Sequence, residues 1–263
     1  MTVAVVGALS LDRVDGGPPR IGGCPFYAGR AFRALGTQAV LVTKCAAPDR
    51  SLLEPPLAEL GLPVIWHDSS ATTGFSIDYS GEDRRMLVHA IADPWTPDEL
   101  KRVPADWVHV APLTRGDLPP DAIATLARGR RVSLDGQGLV RPARAGLLEL
   151  DADYDPELLS SVSILKLSER EAGLLVDGFD ERSLRRLGVP EIVVTLGSRG
   201  CIVFSDGLTE LVRSRRVKSA DPTGAGDAFA ATYLAARSSG VAPAAAARQA
   251  GALVADLLAG GVA

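Results

Sequence analysis

Short runs dominated by apolar residues recur along this chain, and helical segments follow several of them. Val3–Val6, Gln38–Thr43, Trp107–Ala111, Arg131–Leu134, Ser163–Lys166 and Ile192–Thr195 are too short for stable helices and lack the alternation of a half-exposed strand. They read as strands buried on both faces, the environment of a parallel sheet covered by helices. Asp121–Arg128 is one connecting helix; Gly226–Arg237 and Ala244–Leu258, rich in alanine, are helices that can approach a sheet closely. Ser51–Leu60 reads as a helix interrupted near Pro55 and Pro56, and Val64–Trp66 starts another strand. The order fits an α/β fold, and 263 residues suffice for a sizeable core.

One segment breaks this rhythm. In 73–90, Phe75, Ile77 and Tyr79 alternate with Ser76, Asp78 and Ser80, and a Ser-Gly-Glu-Asp turn follows from Ser80. That pattern predicts an antiparallel hairpin standing outside the parallel sheet.

Composition narrows the function classes. Hydrophobic residues at 46% and charged residues at 23% argue against wholesale disorder, and a net charge of -4 supplies no basic field for nucleic acid or acidic lipid. No apolar run approaches the ~20 residues that span a bilayer. Met1–Gly7 shows no basic lead or cleavage site, so the expectation is a cytoplasmic protein. Cys24, Cys45 and Cys201 are odd in number and widely spaced, which suits reduced thiols; His67, His89 and His109 stand alone in strand-like surroundings. Structural or incidental roles are expected for all six. A Walker phosphate loop, an HExxH pair and a Cys/His cluster are all missing from the sequence.

Asp221-Pro222-Thr223-Gly224-Ala225-Gly226-Asp227 precedes the first alanine-rich helix. Two glycines separated by one alanine let backbone amides converge, and a helix start adds unpaired amides at a positive dipole end. An anion such as a phosphate can be held there, with the Asp227 carboxylate placed to take a proton from an attacking hydroxyl. Capping of the helix by Thr223 or Asp227 is the plain structural alternative.

Other polar groups leave strand ends where α/β sheets bind ligands. Asp12 follows the first strand; Gly22-Gly23 opens a helix that closes at Gly36; Asp135, Gln137 and Arg141 leave the Arg131–Leu134 strand. Ser168 and Glu171 have the spacing of a capping box after Lys166. Thr195, Gly197 and Gly200 form a glycine turn that a plain hairpin explains almost as well.

Asp221–Asp227 resembles the C-terminal signature of the ribokinase-like (PfkB) family of carbohydrate kinases, an acidic residue followed shortly by Thr-Gly-Ala-Gly-Asp. Gly7 to Asp12 matches that family's Gly-x4-Asp, and Gly22-Gly23 with the following small-residue helix resembles its N-terminal signature, with Tyr27 where Asn usually stands. The resemblance covers essentially the whole chain in order. It implies a ribokinase-like three-layer sandwich, mostly parallel and flanked by helices, as one domain over 1–263. A small β lid is implied at about 66–91 with the 11–22 connection.

It also implies phosphoryl transfer from ATP to a hydroxyl of a sugar or cyclitol, with a nucleoside kinase and a non-catalytic sensor as alternatives. Asp227 becomes the base, and the amides of Gly224, Ala225 and Gly226 the anion hole. Asp12, Gly22, Gly23, Tyr27, Gln137 and Arg141 fall on the acceptor side; Lys166, Thr195, Gly197, Gly200 and Thr223 fall on the nucleotide side. Glu171 is implied in organising Mg²⁺, although Ser168 replaces the usual Asn, and Asp221 in binding a monovalent cation such as K⁺. The exposed hairpin edge invites pairing with a second copy through the lid, and a monomer is equally compatible.

Overall fold

The computed structural model describes residues 2–79, 85–176, 180–215, 217 and 222–260. The Ser-Gly-Glu-Asp turn and Asp221 lie outside them. Strands β1 (Val3–Ala8), β2 (Ser10–Val14), β3 (Arg20–Gly22), β4 (Ala39–Ala46), β5 (Val64–Ser69), β6 (Thr73–Asp78), β7 (Arg85–Ala90), β8 (Trp107–Val110), β9 (Arg131–Asp135), β10 (Gly146–Leu147), β11 (Ile164–Ser168), β12 (Glu191–Thr195), β13 (Cys201–Ser205) and β14 (Leu208–Val212) form two sheets. The larger has nine strands in the order β14-β13-β12-β11-β9-β8-β1-β4-β5. From β5 to β12 every pairing is parallel, and only the β12–β13–β14 edge is antiparallel.

Alternate side chains of the buried strands feed opposite cores, as a two-sided sheet requires. On β1, Ala4 and Val6 join Val108, Val110, Val132 and Leu134 on one face. That face is covered by α3 (Pro97–Leu100), α4 (Pro120–Ala127), α6 (Glu169–Leu175) and α7 (Glu181–Arg185), with α5 (Gln137–Val140) at the strand ends. Val3 and Val5 face the other core, with α1 (Cys24–Leu35), α2 (Arg50–Ala58), α8 (Ala225–Ser238) and α9 (Pro243–Leu258). Helices, sheet and helices make the three layers expected.

Two local expectations are corrected. Helix α2 runs through Pro55 and Pro56. Its inner face, Leu53 and Leu57, is fully buried, and this packing outweighs the ladder bonds that the prolines cannot donate. Residues 66–69 belong to β5, which pairs in register with β4, so the lid hairpin begins at Thr73. The lid is a five-stranded sheet, β10-β7-β6-β2-β3, that takes in the two-residue strand β10 from much later in the chain. Phe75, Ile77, Met86 and Val88 face inward onto Ala8 and Leu113.

Candidate active site

Helix α8 begins immediately after Gly224, whose φ of 79° and ψ of -2° lie in the left-handed region. The Ala225 N–H donates to Pro222 O at 3.1 Å and closes the turn; the Ala228 N–H donates to Gly224 O at 2.9 Å and starts the helix. The Ala225 amide, implied in the anion hole by the resemblance, is thus engaged by the turn in this structure. Gly226 and Asp227 occupy the first helical turn, where the helix offers their amides no acceptor of its own. The far end of α8 is fixed by Glu191, which accepts from Tyr233 Oη at 2.6 Å and from Arg237 Nη2 at 2.8 Å.

Tyr27 does not stand in for the amide that its position implies. Its ring lies directly against Gly224, where any Cβ would overlap the ring carbons. A ring in that place packs the anion turn from the α1 side, and Tyr27 shares a small cavity there with Arg30 and Thr223.

Asp227 is half-buried. Loss of hydration pushes its carboxyl up to about 6, helped by the Asp135 charge; Lys166, a hydrogen bond from the Cys24 thiol and Arg141 act in the opposite direction. The Lys166 ammonium reaches Asp135 Oδ2 at 3.0 Å, with both residues buried. A Cβ on Gly226 would stand 3.1 Å from Lys166 Nζ, so the ammonium lies beside the second glycine of the signature. Burial acts to lower the pKa of this ammonium, but Asp135, Glu171 and Asp227 outweigh it and hold it above its ordinary value. Beneath the pair, His109 is fully buried with Nδ1 3.0 Å from Ser133 Oγ, and burial pushes it down to about 4. It is neutral at physiological pH.

The acceptor side reaches the base through a short path. Asp12 sits on β2, buried, and a Cβ on Gly22 would overlap its carboxylate. Gly23, at φ 93°, backs onto Ala8 O, and Cys24 follows as the first residue of α1 with its thiol on Asp227. The Gln137 N–H donates to Asp135 Oδ1 at 3.1 Å, and Arg141 is near enough to act on Asp227. Arg141, Lys166 and Cys24 therefore act directly on Asp227; Gln137 is one contact behind through Asp135, and Gly22 and Gly23 lead from Asp12 into Cys24.

Of the residues implied on the nucleotide side, Thr195, Gly197 and Gly200 line a cavity of about 280 Å³ between β13, β14, α8 and α9, whereas Lys166 lies with Asp135 and Thr223 lines the small cavity beside Tyr27. Thr195, Gly197 and Gly200 form one wall, and Phe229, Ala247 and Val254 another. Gly200, at φ 104°, is crossed by Val212 O so closely that a side chain there would collide with backbone. The Thr195 hydroxyl donates to Leu167 O at 3.2 Å. Ala225 and Gly226 also line it, so the cavity borders the turn that opens α8.

Glu171 and Ser168 form the capping box: the Ser168 N–H donates to Glu171 Oε2 at 2.7 Å, and the Glu171 N–H to Ser168 Oγ at 3.2 Å. No group of three or more His, Cys, Asp or Glu residues is placed to hold a metal among the described residues.

Sequence reasoning missed two partners of the site. Cys24 carries no local pattern, and only the packing of α1 on α8 brings its thiol to Asp227. Tyr79 reads as one inward residue of a hairpin, yet its hydroxyl is 3.1 Å from Thr223 Oγ1.

Comparison with known proteins agrees with this geometry. An inositol 3-kinase of Oryza sativa subsp. japonica is 32% identical over 182 residues, 63% of this chain and 44% of the relative. A cytidine kinase of Thermococcus kodakarensis is 29% identical over 140 residues, 50% of this chain and 48% of the relative. The chain thus spans less than half the length of these curated relatives. A pyrophosphate-dependent kinase in the ribokinase family, solved with a pyrophosphate analogue and myo-inositol, superposes with a TM-score of 0.86 at 27% identity, covering 97% of this chain and 94% of that one. Residues 92–259 match the sequence model described as pfkB family carbohydrate kinase, and the chain belongs to that family.

Proposed function

We propose that this protein transfers a terminal phosphoryl group to a hydroxyl of a cyclitol or sugar, with Asp227 as the general base. The observation that carries this reading is a carboxyl raised toward neutrality in the first turn of α8, beside the Gly224–Gly226 turn and open to a substrate. A base with a pKa near 6 is ionised at physiological pH and still basic enough to accept the hydroxyl proton as the bond to phosphorus forms. In such transfers positioning and charge stabilisation do most of the work. Asp12 orients the acceptor, Arg141 and Lys166 face the negative charge that crosses the site, and the amides of Gly226 and Asp227 hold the developing anion. Magnesium, where bound, would neutralise phosphate charge, and the resemblance implies that Glu171 would help hold it through water. A monovalent cation at Asp221 rests on the resemblance alone.

A cyclitol is preferred as acceptor because an inositol kinase is among the relatives and a myo-inositol complex among the similar structures. For the donor, the 280 Å³ cavity lined by Phe229, Ala247 and Val254 favours a nucleoside triphosphate. Its size is just below the range of small-molecule sites, ~300–1,000 Å³, and pyrophosphate has no group that an apolar wall would recognise. Inorganic pyrophosphate is the rival donor, motivated by the pyrophosphate-dependent kinase. No helix among the described residues is long and apolar enough to cross a membrane. On the lid, Leu87 and Leu147 face each other across β7 and β10 and are exposed, which offers a second copy an apolar contact; light scattering would test that dimer.

The deciding experiment incubates the protein with ATP or pyrophosphate and a panel of myo-inositol, hexoses, ribose and nucleosides, and follows acceptor-dependent release of ADP or phosphate. Transfer to a cyclitol or sugar supports the reading. Transfer only to nucleosides redirects it to a nucleoside kinase, and binding without turnover to a sensor.

A further inference from the structure

Tyr79 follows β6 and continues its inward row, and Asp15 ties down the chain at this point. Its N–H donates to Asp15 Oδ1 at 2.8 Å, and the Asp15 N–H donates to Ile77 O at 2.9 Å. Asp15 follows β2 with a φ of 48°, so the turn that pins Tyr79 belongs to the same lid sheet as Asp12. From this position the Tyr79 hydroxyl meets Thr223 Oγ1 at 3.1 Å, a contact between residues 144 apart in sequence. Thr223 immediately precedes Gly224, whose other side is covered by the Tyr27 ring. The turn that opens α8 is therefore gripped by two tyrosines, one from the helical frame and one from the lid.

These two grips differ in kind. Tyr27 comes from α1, which packs on α8 in the core, so its contact persists whatever the lid does. Tyr79 touches the turn only while the lid lies on the sheet. A single hydrogen bond at such a position is enough to bias how a glycine turn sits, because glycine imposes little conformational preference of its own.

We infer that Tyr79 is a positioning residue that orders the Thr223–Gly226 anion turn when the lid is closed, so that phosphoryl transfer is favoured only with water excluded. The inference rests on the proposed kinase reading. Its use follows from the competition between the acceptor hydroxyl and water for the same phosphoryl group. An anion turn equally well formed under an open lid would waste the donor by hydrolysis.

The test compares the full-length protein with Tyr79→Phe, Thr223→Val and the double variant. Phe keeps the ring packing, and circular dichroism with thermal melting verifies that each variant folds. Hydrogen exchange at 223–227 is read first, without any substrate, and is expected to be several-fold faster in Tyr79→Phe. With myo-inositol and whichever donor is active, kcat is expected to fall roughly 3- to 10-fold, the loss of one hydrogen bond. The KM for the donor should change little, and phosphate released to water should rise relative to phosphate transferred. The double variant should be no worse than the more impaired single variant. Unchanged exchange at 223–227, fully multiplicative losses in the double variant, or an unaltered ratio of hydrolysis to transfer would each overturn the inference. Because the exchange arm needs no turnover, failure of the kinase reading leaves it readable.

Discussion

Lys166 Nζ and Asp135 Oδ2 meet at 3.0 Å across the parallel strands β11 and β9, where residues 166 and 135 stand in register. Both are buried, so neither charge has water to fall back on. Removing one partner of such a pair typically costs about 3–5 kcal/mol, whereas replacing both with apolar groups costs far less. Lys166→Met should therefore lower stability by several kcal/mol in urea unfolding, and Lys166→Met with Asp135→Leu should recover most of that loss while leaving activity poor.

Under the proposed chemistry, the Asp227 carboxyl, raised to about 6, sets the acid side of the pH profile. The value of kcat/KM should fall tenfold per pH unit below about pH 6 as Asp227 becomes protonated. Arg141 acts to lower this pKa, so Arg141→Gln should move the acid limb upward. Initial rates from pH 4.5 to 8.5 provide the measurement.

The same carboxyl links activity to stability. Its folded pKa lies above the usual carboxylate value near 3.9, so ionisation is less favourable in the folded protein than in the unfolded chain. The resulting penalty is absent at pH 3, grows as pH rises between the two values, and is fully present above about pH 6. A shift of about 2 units corresponds to roughly 3 kcal/mol as an upper figure. Asp227→Asn should raise the melting temperature at pH 8 more than at pH 5, lower kcat by about 10²–10⁴, and leave the donor Kd near normal.

Gly224→Ala adds a side chain both at a φ of 79° and into the Tyr27 ring. Left-handed strain and overlap together should cost about 2–4 kcal/mol and abolish measurable transfer. Adding Tyr27→Ala removes the overlap but not the strain, so thermal melting should show partial recovery only.

Filling the apolar cavity discriminates the donors. Gly251→Leu places a branched side chain among Phe229, Ala247 and Val254 without touching Asp227. If a nucleotide base occupies that space, the KM for ATP should rise at least tenfold. Turnover with pyrophosphate, if the protein supports any, should be unaffected.

What was legible in the sequence was what neighbouring residues decide. The buried runs became the parallel strands, and Gly224 to Asp227 became a glycine turn opening a helix, because each depends on a few adjacent residues. The Asp135–Lys166 pair needs β9 beside β11, which is a fact of topology rather than of either segment. Tyr27 was legible as a departure but not as a prop for Gly224, since that contact needs α1 against α8. The prolines of α2 misled because local backbone cost was weighed without the burial of Leu53 and Leu57. Strand β10, two residues long, has no pattern to read and exists only because β7 offers it an edge.

Strand β1 passes into β2 through Leu9 alone, and the Leu9 N–H is tied to Lys44 O at 3.1 Å. The carboxylate of Asp12 is therefore carried on the lid, while Asp227 is carried on the frame. Under the proposed chemistry, the acceptor is gripped by one sheet and deprotonated from the other, so the fit between the two sheets sets how its hydroxyl meets Asp227.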